Sequence, residues 1–205
     1  MEKKFYFERR KAIVFDLDGT IVNLNLNWKK LRNVLSKRFN KLYGIKHEFH
    51  AVTDCLDKVL KREDEIEFTN FLNIIEQFEL KSPAKSKPLQ ETLFFINNLE
   101  SFQVPESTKL AVLSLNMRKT IIESLKNANI YKKFEYIVGR EDIRHWKPHP
   151  DGLLKIQEQF NLNSEDLIYF GDLEKDVNTG KNAGVDAFFI SDLIDLVKEM
   201  RKKLL

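Results

Sequence analysis

The stretch IVFDLDGT (13–20) brings two aspartates, Asp16 and Asp18, to the end of the apolar run Ile13-Val14-Phe15. Carboxylates this close repel each other, and beside a buried strand each loses solvation. A cation would make the arrangement tolerable, and carboxylates gathered on a cation can act on an anionic substrate. FGDLEKD (170–176) repeats the pattern: Asp172 ends an apolar run and Asp176 follows four residues later. Two buried strands that each end in a carboxylate suggest a common charge where they meet. Singly, the signals are weaker. The chain has 31 acidic residues, so an Asp-x-Asp also fits a turn or a cap, and Asp176 also fits a solvated or helix-capping carboxylate. Gly19 strengthens the first pair, because glycine permits a tight turn off a strand.

LSLN (113–116) ends another apolar run with Ser114 and Asn116. Ser114 could donate to a phosphate oxygen or cap the helix predicted to start near Met117. Both roles are compatible, since a helix N-terminus is itself an anion site. In HWKPHP (145–150), Lys147 precedes a proline and so lies on extended, non-helical backbone. Its ammonium could reach a site, or it could be an ordinary surface lysine. His145 and His149 have no cysteine partner and make a poor metal set; loop packing is expected for both and for Trp146.

The elements that must position these residues follow from the pattern. Near-continuous apolar runs at 12–16, 110–114, 135–139, 167–172 and 186–190 read as strands buried on both faces of a parallel sheet. Helical stretches lie between them, and Gly184 stands where a helix should end. The closing helix is expected to take Ser191 or Asp192 as its N-cap and ends in basic residues, which suit the helix dipole. This alternation predicts a doubly wound α/β fold, with ligands at the carboxyl ends of the strands. It breaks once. The connection between the first two strands is far longer than one crossover helix requires. That connection carries three helical stripes: Leu31, Val34, Leu35, Phe39, Leu42; then Val52, Cys55, Leu56, Val59, Leu60; then Phe68, Phe71, Leu72, Ile75, Phe78. Residues 25–81 therefore read as a helical cap inserted into a core of 1–24 and 82–205. NLNLN (23–27) and KSPAKSKP (81–88) would be its linkers.

At 205 residues, 42% hydrophobic and 32% charged, the chain has the composition of a globular protein. A net charge of +3, from 34 basic and 31 acidic residues, is too even to argue for nucleic acid. Cys55 is the only cysteine, which excludes an internal disulfide. No apolar run approaches the ~20 residues of a membrane span, and the first residues lack the apolar stretch of a signal peptide. A cytoplasmic protein is expected; the sequence leaves its oligomeric state open.

In order, DLDGT, LSLN, KPHP and GDLEKD resemble the motifs of the haloacid dehalogenase superfamily. The likeness is to its capped phosphatase branch, which includes phosphoglycolate phosphatases, and it spans residues 12–190. The resemblance implies strand order 5-4-1-2-3 and a helical cap after the first motif. It implies that Asp16 is the nucleophile, forming an aspartyl-phosphate, and that Asp18 is the general acid and base. It implies a Mg²⁺ site built from Asp16, the Asp18 backbone carbonyl and Asp172, supported by Asp176. Ser114, Asn116 and Lys147 would bind the transferring phosphoryl group. The implied partner is a small phosphorylated metabolite. A phosphomutase of the same superfamily is the alternative, and a non-catalytic regulator is a third reading. Family phosphatases often carry Asp-Ser shortly after the first motif, whereas this chain continues IVNLN. Asp18 argues against carbon–halogen cleavage, since the dehalogenases lack it.

Overall fold

Five short apolar runs form one parallel sheet in the computed structural model, which describes residues 5–204. Residues 1–4 and Leu205, which the sequence division assigns to the core, lie outside the described residues. The strands are β1 (Ala12–Phe15), β2 (Lys109–Leu113), β3 (Tyr136–Val138), β4 (Leu167–Gly171) and β5 (Asp186–Phe189). Their order is β5-β4-β1-β2-β3, the order expected, with β1 central. In register, Phe15 of β1 sits beside Val112 of β2 and Phe170 of β4. Asp16 and Asp172 therefore emerge together at the carboxyl edge of the sheet.

The connection after β1 holds α1 (Trp28–Tyr43), α2 (Val52–Leu60) and α3 (Glu65–Glu79). Asn27 starts α1 by accepting from the Lys30 N–H at 2.9 Å, and Gly44 ends it in the left-handed conformation that glycine adopts without strain. The remaining helices are α4 (Gln90–Asn97), α5 (Arg118–Asn127), α6 (Asp151–Phe160), α7 (Glu174–Ala183) and α8 (Ile190–Leu204). Alternate residues of each inner strand face opposite layers, as the pleat requires. Ile13 and Phe15 pack with residues of α4, α5 and α8; Ala12 and Val14 pack toward α6. Phenylalanines recur among the aliphatic residues of the first layer, where the Phe15 and Phe170 rings stack with centroids 5.8 Å apart. In the second layer, the apolar side chains of α1–α3 belong to the same continuous cluster as those below the sheet. Phe68 of α3 stacks on Trp146, centroids 6.5 Å apart, at one point of that continuity.

Both flanks of the helical connection are ordered. Val22 pairs with Pro88 and Asn23 with Lys87 in a two-residue antiparallel ribbon, which ties the entering chain to the leaving one. The segment expected as a free linker instead buries Ser82 and Pro83.

Several sequence expectations are corrected in detail. β5 is a sheet edge, so its residues are exposed or half-buried rather than covered on both faces. Val34 and Leu42 fall on the exposed side of α1. α8 begins at Ile190, which places Ser191 and Asp192 inside its first turn rather than at its cap.

Candidate active site

Asp16 follows the central strand and is fixed there, its N–H donating to the Phe170 carbonyl at 2.8 Å. The next residues turn sharply. Gly19 has φ +81°, and a Cβ on it would strike the Asp172 carboxylate. Both facts demand glycine, and the close approach brings the DLDGT turn against the end of β4. Gly171 plays a similar part, because a Cβ there would run into Asp176.

The carboxylates converge. Asp16, Asp172 and Asp176 each offer an oxygen, all within 4.8 Å of one another. The Asp18 side chain lies outside this trio; its Oδ1 accepts from the Leu24 N–H at 2.8 Å. Lys147 supplies the positive charge. Its buried Nζ donates to Asp16 Oδ1 at 2.9 Å and to Asp176 Oδ1 at 2.7 Å. Lys147 sits in a turn, with a cis peptide to Pro148. Asp176 is further held by the Leu173 N–H (3.0 Å) and the Tyr169 hydroxyl (3.0 Å).

Electrostatics separates the three acids' surroundings. Burial works to raise the Asp176 pKa, but Lys147, joined by the Leu173 N–H and the Tyr169 hydroxyl, holds the group below the usual carboxylate range. Burial would lower the Lys147 pKa, yet the two aspartates keep it above its ordinary value. Asp172 has no such partner: burial first, then Asp16 and Asp176, push it up to about 6. Its Oδ1 is buried with no hydrogen-bond donor among the described residues. An all-oxygen set with one orphaned carboxylate oxygen fits a hard divalent cation. Asp18 is raised mainly by burial, against the Leu24 N–H and with a smaller push from Asp16.

Ser114 and Asn116 face the same place from the end of β2. The Ser114 hydroxyl donates to Asn116 Oδ1 at 3.0 Å. Neither caps α5, the other role open to Ser114. The Met117 N–H donates to Glu79 Oε2 at 2.8 Å, and the Arg118 N–H to Glu141 Oε1 at 3.0 Å. All the expected site residues except Asp176 border one cavity of about 450 Å³, at the small end of ligand pockets. The opposite wall comes from the helical connection: Trp28, Arg32 and residues 50–53.

Sequence reasoning missed several residues here. Arg140 borders the cavity and is buried; its Nη2 lies 3.9 Å from the fully buried Glu79. Lys175 borders it too, and so does Arg32, which the sequence does offer as one of several basic residues of α1, any one of which could meet a substrate carboxylate. Burial first, then Lys147, pushes the Lys175 pKa down, with Arg140 adding to the effect. A signal for Glu79 exists: it, rather than Phe78, continues the buried stripe Phe68, Phe71, Ile75 at helical spacing. Of the three HWKPHP residues expected to pack in the loop, only Trp146 is buried, with its Nε1 donating to the Arg140 carbonyl at 3.1 Å. His145 and His149 are exposed, and Asp151 joins them, one carboxylate oxygen 2.8 Å from each Nδ1.

A buried strand-end carboxylate cluster around one lysine, at the carboxyl edge of a parallel α/β sheet, defines a class of hydrolase fold. Residues 13–190 match the haloacid dehalogenase-like hydrolase family, and the chain belongs to it. It is 26% identical over 175 residues to pyrophosphatase PpaX of Halalkalibacterium halodurans, covering 85% of this chain and 80% of that protein. A pyrophosphatase PpaX of Listeria welshimeri is 27% identical over 187 residues, covering 84% and 79%. Among solved structures, CbbY of Rhodobacter sphaeroides in complex with phosphate superposes with a TM-score of 0.60 at 14% identity, covering 88% of this chain and 85% of that one. At that identity the likeness speaks for the fold alone. No helix among the described residues is long and apolar enough to cross a membrane.

Proposed function

We propose that the protein is a Mg²⁺-dependent phosphohydrolase that works through an aspartyl-phosphate on Asp16. The observation that carries this reading is the Lys147 bridge. It holds Asp16 as an oriented anion, 2.9 Å away, at the edge of a cavity sized for a small substrate.

An Asp16 oxygen attacks phosphorus in line, and the P–O bond to the leaving group breaks. Asp18, whose pKa burial raises, serves as the general acid and protonates that leaving oxygen. Asp18 then takes a proton from water as the water oxygen attacks phosphorus and the Asp16–phosphorus bond breaks. Phosphate is released and Asp16 is restored. Ser114 and Asn116 orient the phosphoryl oxygens from the end of β2, with Lys147 supplying charge. Mg²⁺ would be held by Asp16, Asp172 and Asp176 with the Asp18 carbonyl, and when bound it offsets charge on the phosphoryl oxygens.

Residues 25–81 serve as the cap over a core of 1–24 and 82–205, contributing Trp28 and Arg32 to the cavity. The burial of Ser82 and the Glu79–Met117 bond anchor the tail of α3 to the core. Bending on cap opening therefore concentrates at 23–27 and upstream of Glu79. The substrate is a small phosphorylated metabolite. The PpaX relatives are named pyrophosphatases, which adds pyrophosphate as a first compound to try. A cytoplasmic setting belongs to the same reading. The lone thiol, Cys55, is buried and burial pushes it up to about 12, so it stays protonated and unreactive.

The purified protein should hydrolyse p-nitrophenyl phosphate, lose that activity to EDTA and regain it with Mg²⁺. Asp16→Asn should abolish turnover and keep its circular dichroism spectrum. A folded Asp16→Asn variant with activity would remove Asp16 as nucleophile. Retention of label from a ³²P-phosphomonoester on the wild-type protein, with transfer to a sugar phosphate but none to water, would move the reading to the mutase.

A further inference from the structure

The cavity carries more positive charge than one phosphoryl group needs. Lys147 is already matched to Asp16 and Asp176. Three further cations border the same space: Arg32 from α1, Arg140 after β3 and Lys175 at the start of α7. Arg32 and Lys175 have no ion pair among the described residues. Arg140 is 3% exposed, its Nε and Nη1 have no hydrogen-bond partner among the described residues, and the only carboxylate within 4 Å of it among those residues is Glu79, at 3.9 Å. A buried cation without a close partner is costly, and an anion that arrives with a ligand removes the cost.

Lys175 is informative in its own right. It is the second residue of α7. A cation there sits at the positive end of the helix dipole, where acidic residues are favoured. Helix stability therefore does not explain it, whereas an anion in the cavity does.

We infer that Arg32, Arg140 and Lys175 form a subsite for a second phosphoryl group, so that the substrate is a diphosphate or other compact bisphosphate. This inference rests on the phosphohydrolase reading for the first group, which Lys147, Ser114 and Asn116 meet. Three cations suit a second phosphoryl dianion better than a single carboxylate. A cavity of about 450 Å³ keeps the whole substrate small.

The test uses the full chain with Mg²⁺ and three substrates: inorganic pyrophosphate, phosphoglycolate and p-nitrophenyl phosphate. Wild type should show kcat/KM for pyrophosphate at least tenfold above that for the other two. Lys175→Gln and Arg32→Gln should each lower the ratio of pyrophosphate to p-nitrophenyl phosphate at least tenfold, mainly through KM for pyrophosphate. Lys175→Gln should melt at or above the wild-type temperature. A melting temperature several degrees lower would make Lys175 a structural residue. Ratios within twofold of wild type in both variants would overturn the subsite. Stronger dependence on the two cations for phosphoglycolate than for pyrophosphate would overturn the second phosphoryl group in favour of a carboxylate.

Calorimetry with methylenediphosphonate, which cannot be hydrolysed, separates this inference from the reaction. Binding at least tenfold tighter than inorganic phosphate, lost in Lys175→Gln, supports the subsite even if no substrate is turned over. In that case only the hydrolytic reading fails. Equal affinity for the two anions overturns the subsite whatever the kinetics.

Discussion

Lys147 and Arg140 are both buried cations that follow β3, yet their surroundings differ. Lys147 has two carboxylates, 2.7 and 2.9 Å away. Arg140 has only Glu79 within 4 Å among the described residues, at 3.9 Å. The acids respond accordingly. Asp176, despite its burial, is held below the usual range by Lys147, whereas burial pushes Glu79 up to about 7 against a weaker pull from Arg140. One pair is saturated and fixes a geometry. The other is slack and keeps capacity for an added charge. A site that must hold a nucleophile still while admitting a polyanion needs both kinds.

The sharpest way to break this contrast is to remove the saturated cation. Lys147→Met leaves Asp16 and Asp176 buried without their counter-charge. The expected cost is about 3–5 kcal/mol of unfolding free energy in EDTA, measured by denaturant titration. Hydrolysis of p-nitrophenyl phosphate should fall roughly a thousandfold or more. Mg²⁺ should return part of the lost stability, because a bound cation can stand in for the ammonium. A loss under about 1 kcal/mol would show that Lys147 is no more tightly matched than Arg140, and the contrast would collapse.

The slack pair can be tested through Glu79. Its pKa rises from 4.5 to about 7 on folding, mainly through burial. The native state therefore binds more protons than the unfolded chain between those values, and stability falls as pH rises through that window. The full effect is about 3 kcal/mol, complete above pH 7. Glu79→Gln cannot titrate, and its amide oxygen can still accept from the Met117 N–H. Measured from pH 4.5 to 7.5, the wild type should lose about 3 kcal/mol relative to this variant. Asp172, also raised, tilts both curves alike and cancels in the difference. Parallel curves would mean that Glu79 stays ionised and that Arg140 is as well paired as Lys147.

This contrast also marks what the sequence could and could not disclose. β1, β2 and β4 are near-continuous apolar runs that end at Asp16, Ser114 and Asp172, so strand periodicity placed both the sheet and those residues. Lys147 was readable beside Pro148, but its two partners lie 131 and 29 residues away and become neighbours only through strand order. Glu79 and Arg140 were hidden differently. A glutamate among the polar residues of a helix end looks solvated, and only strict counting along the stripe from Phe68 puts it inside. Arg140 stands in the polar run GRED, where an arginine reads as surface. The linker 81–88 misled because lysine, serine and proline composition says nothing of what Ser82 and Pro83 dock against.

The smallest effect, and the finest test, is Arg140→Met. Methionine is close in length to arginine and suits an apolar wall. At pH 5.5 Glu79 is already largely protonated in the native state, so the substitution strands no charge. The loss there should be under about 1 kcal/mol, since replacing a buried ionic group by an apolar one of similar volume is often close to neutral. Above pH 7 the two proteins should part. Arg140 is the strongest influence lowering the Glu79 pKa, so its removal lets that pKa climb beyond 7. Wild-type stability stops falling on account of Glu79 once pH passes about 7, because native and unfolded states then carry the same charge there. The variant, with its Glu79 still protonated, should go on losing stability at up to about 1.4 kcal/mol per pH unit. Urea titrations at pH 5.5, 7.0 and 8.5 read this directly. A loss of several kcal/mol at pH 5.5 that does not grow by pH 8.5 would mean that Arg140 is matched as firmly as Lys147, by partners other than Glu79, and that it has no spare charge to offer a second phosphoryl group.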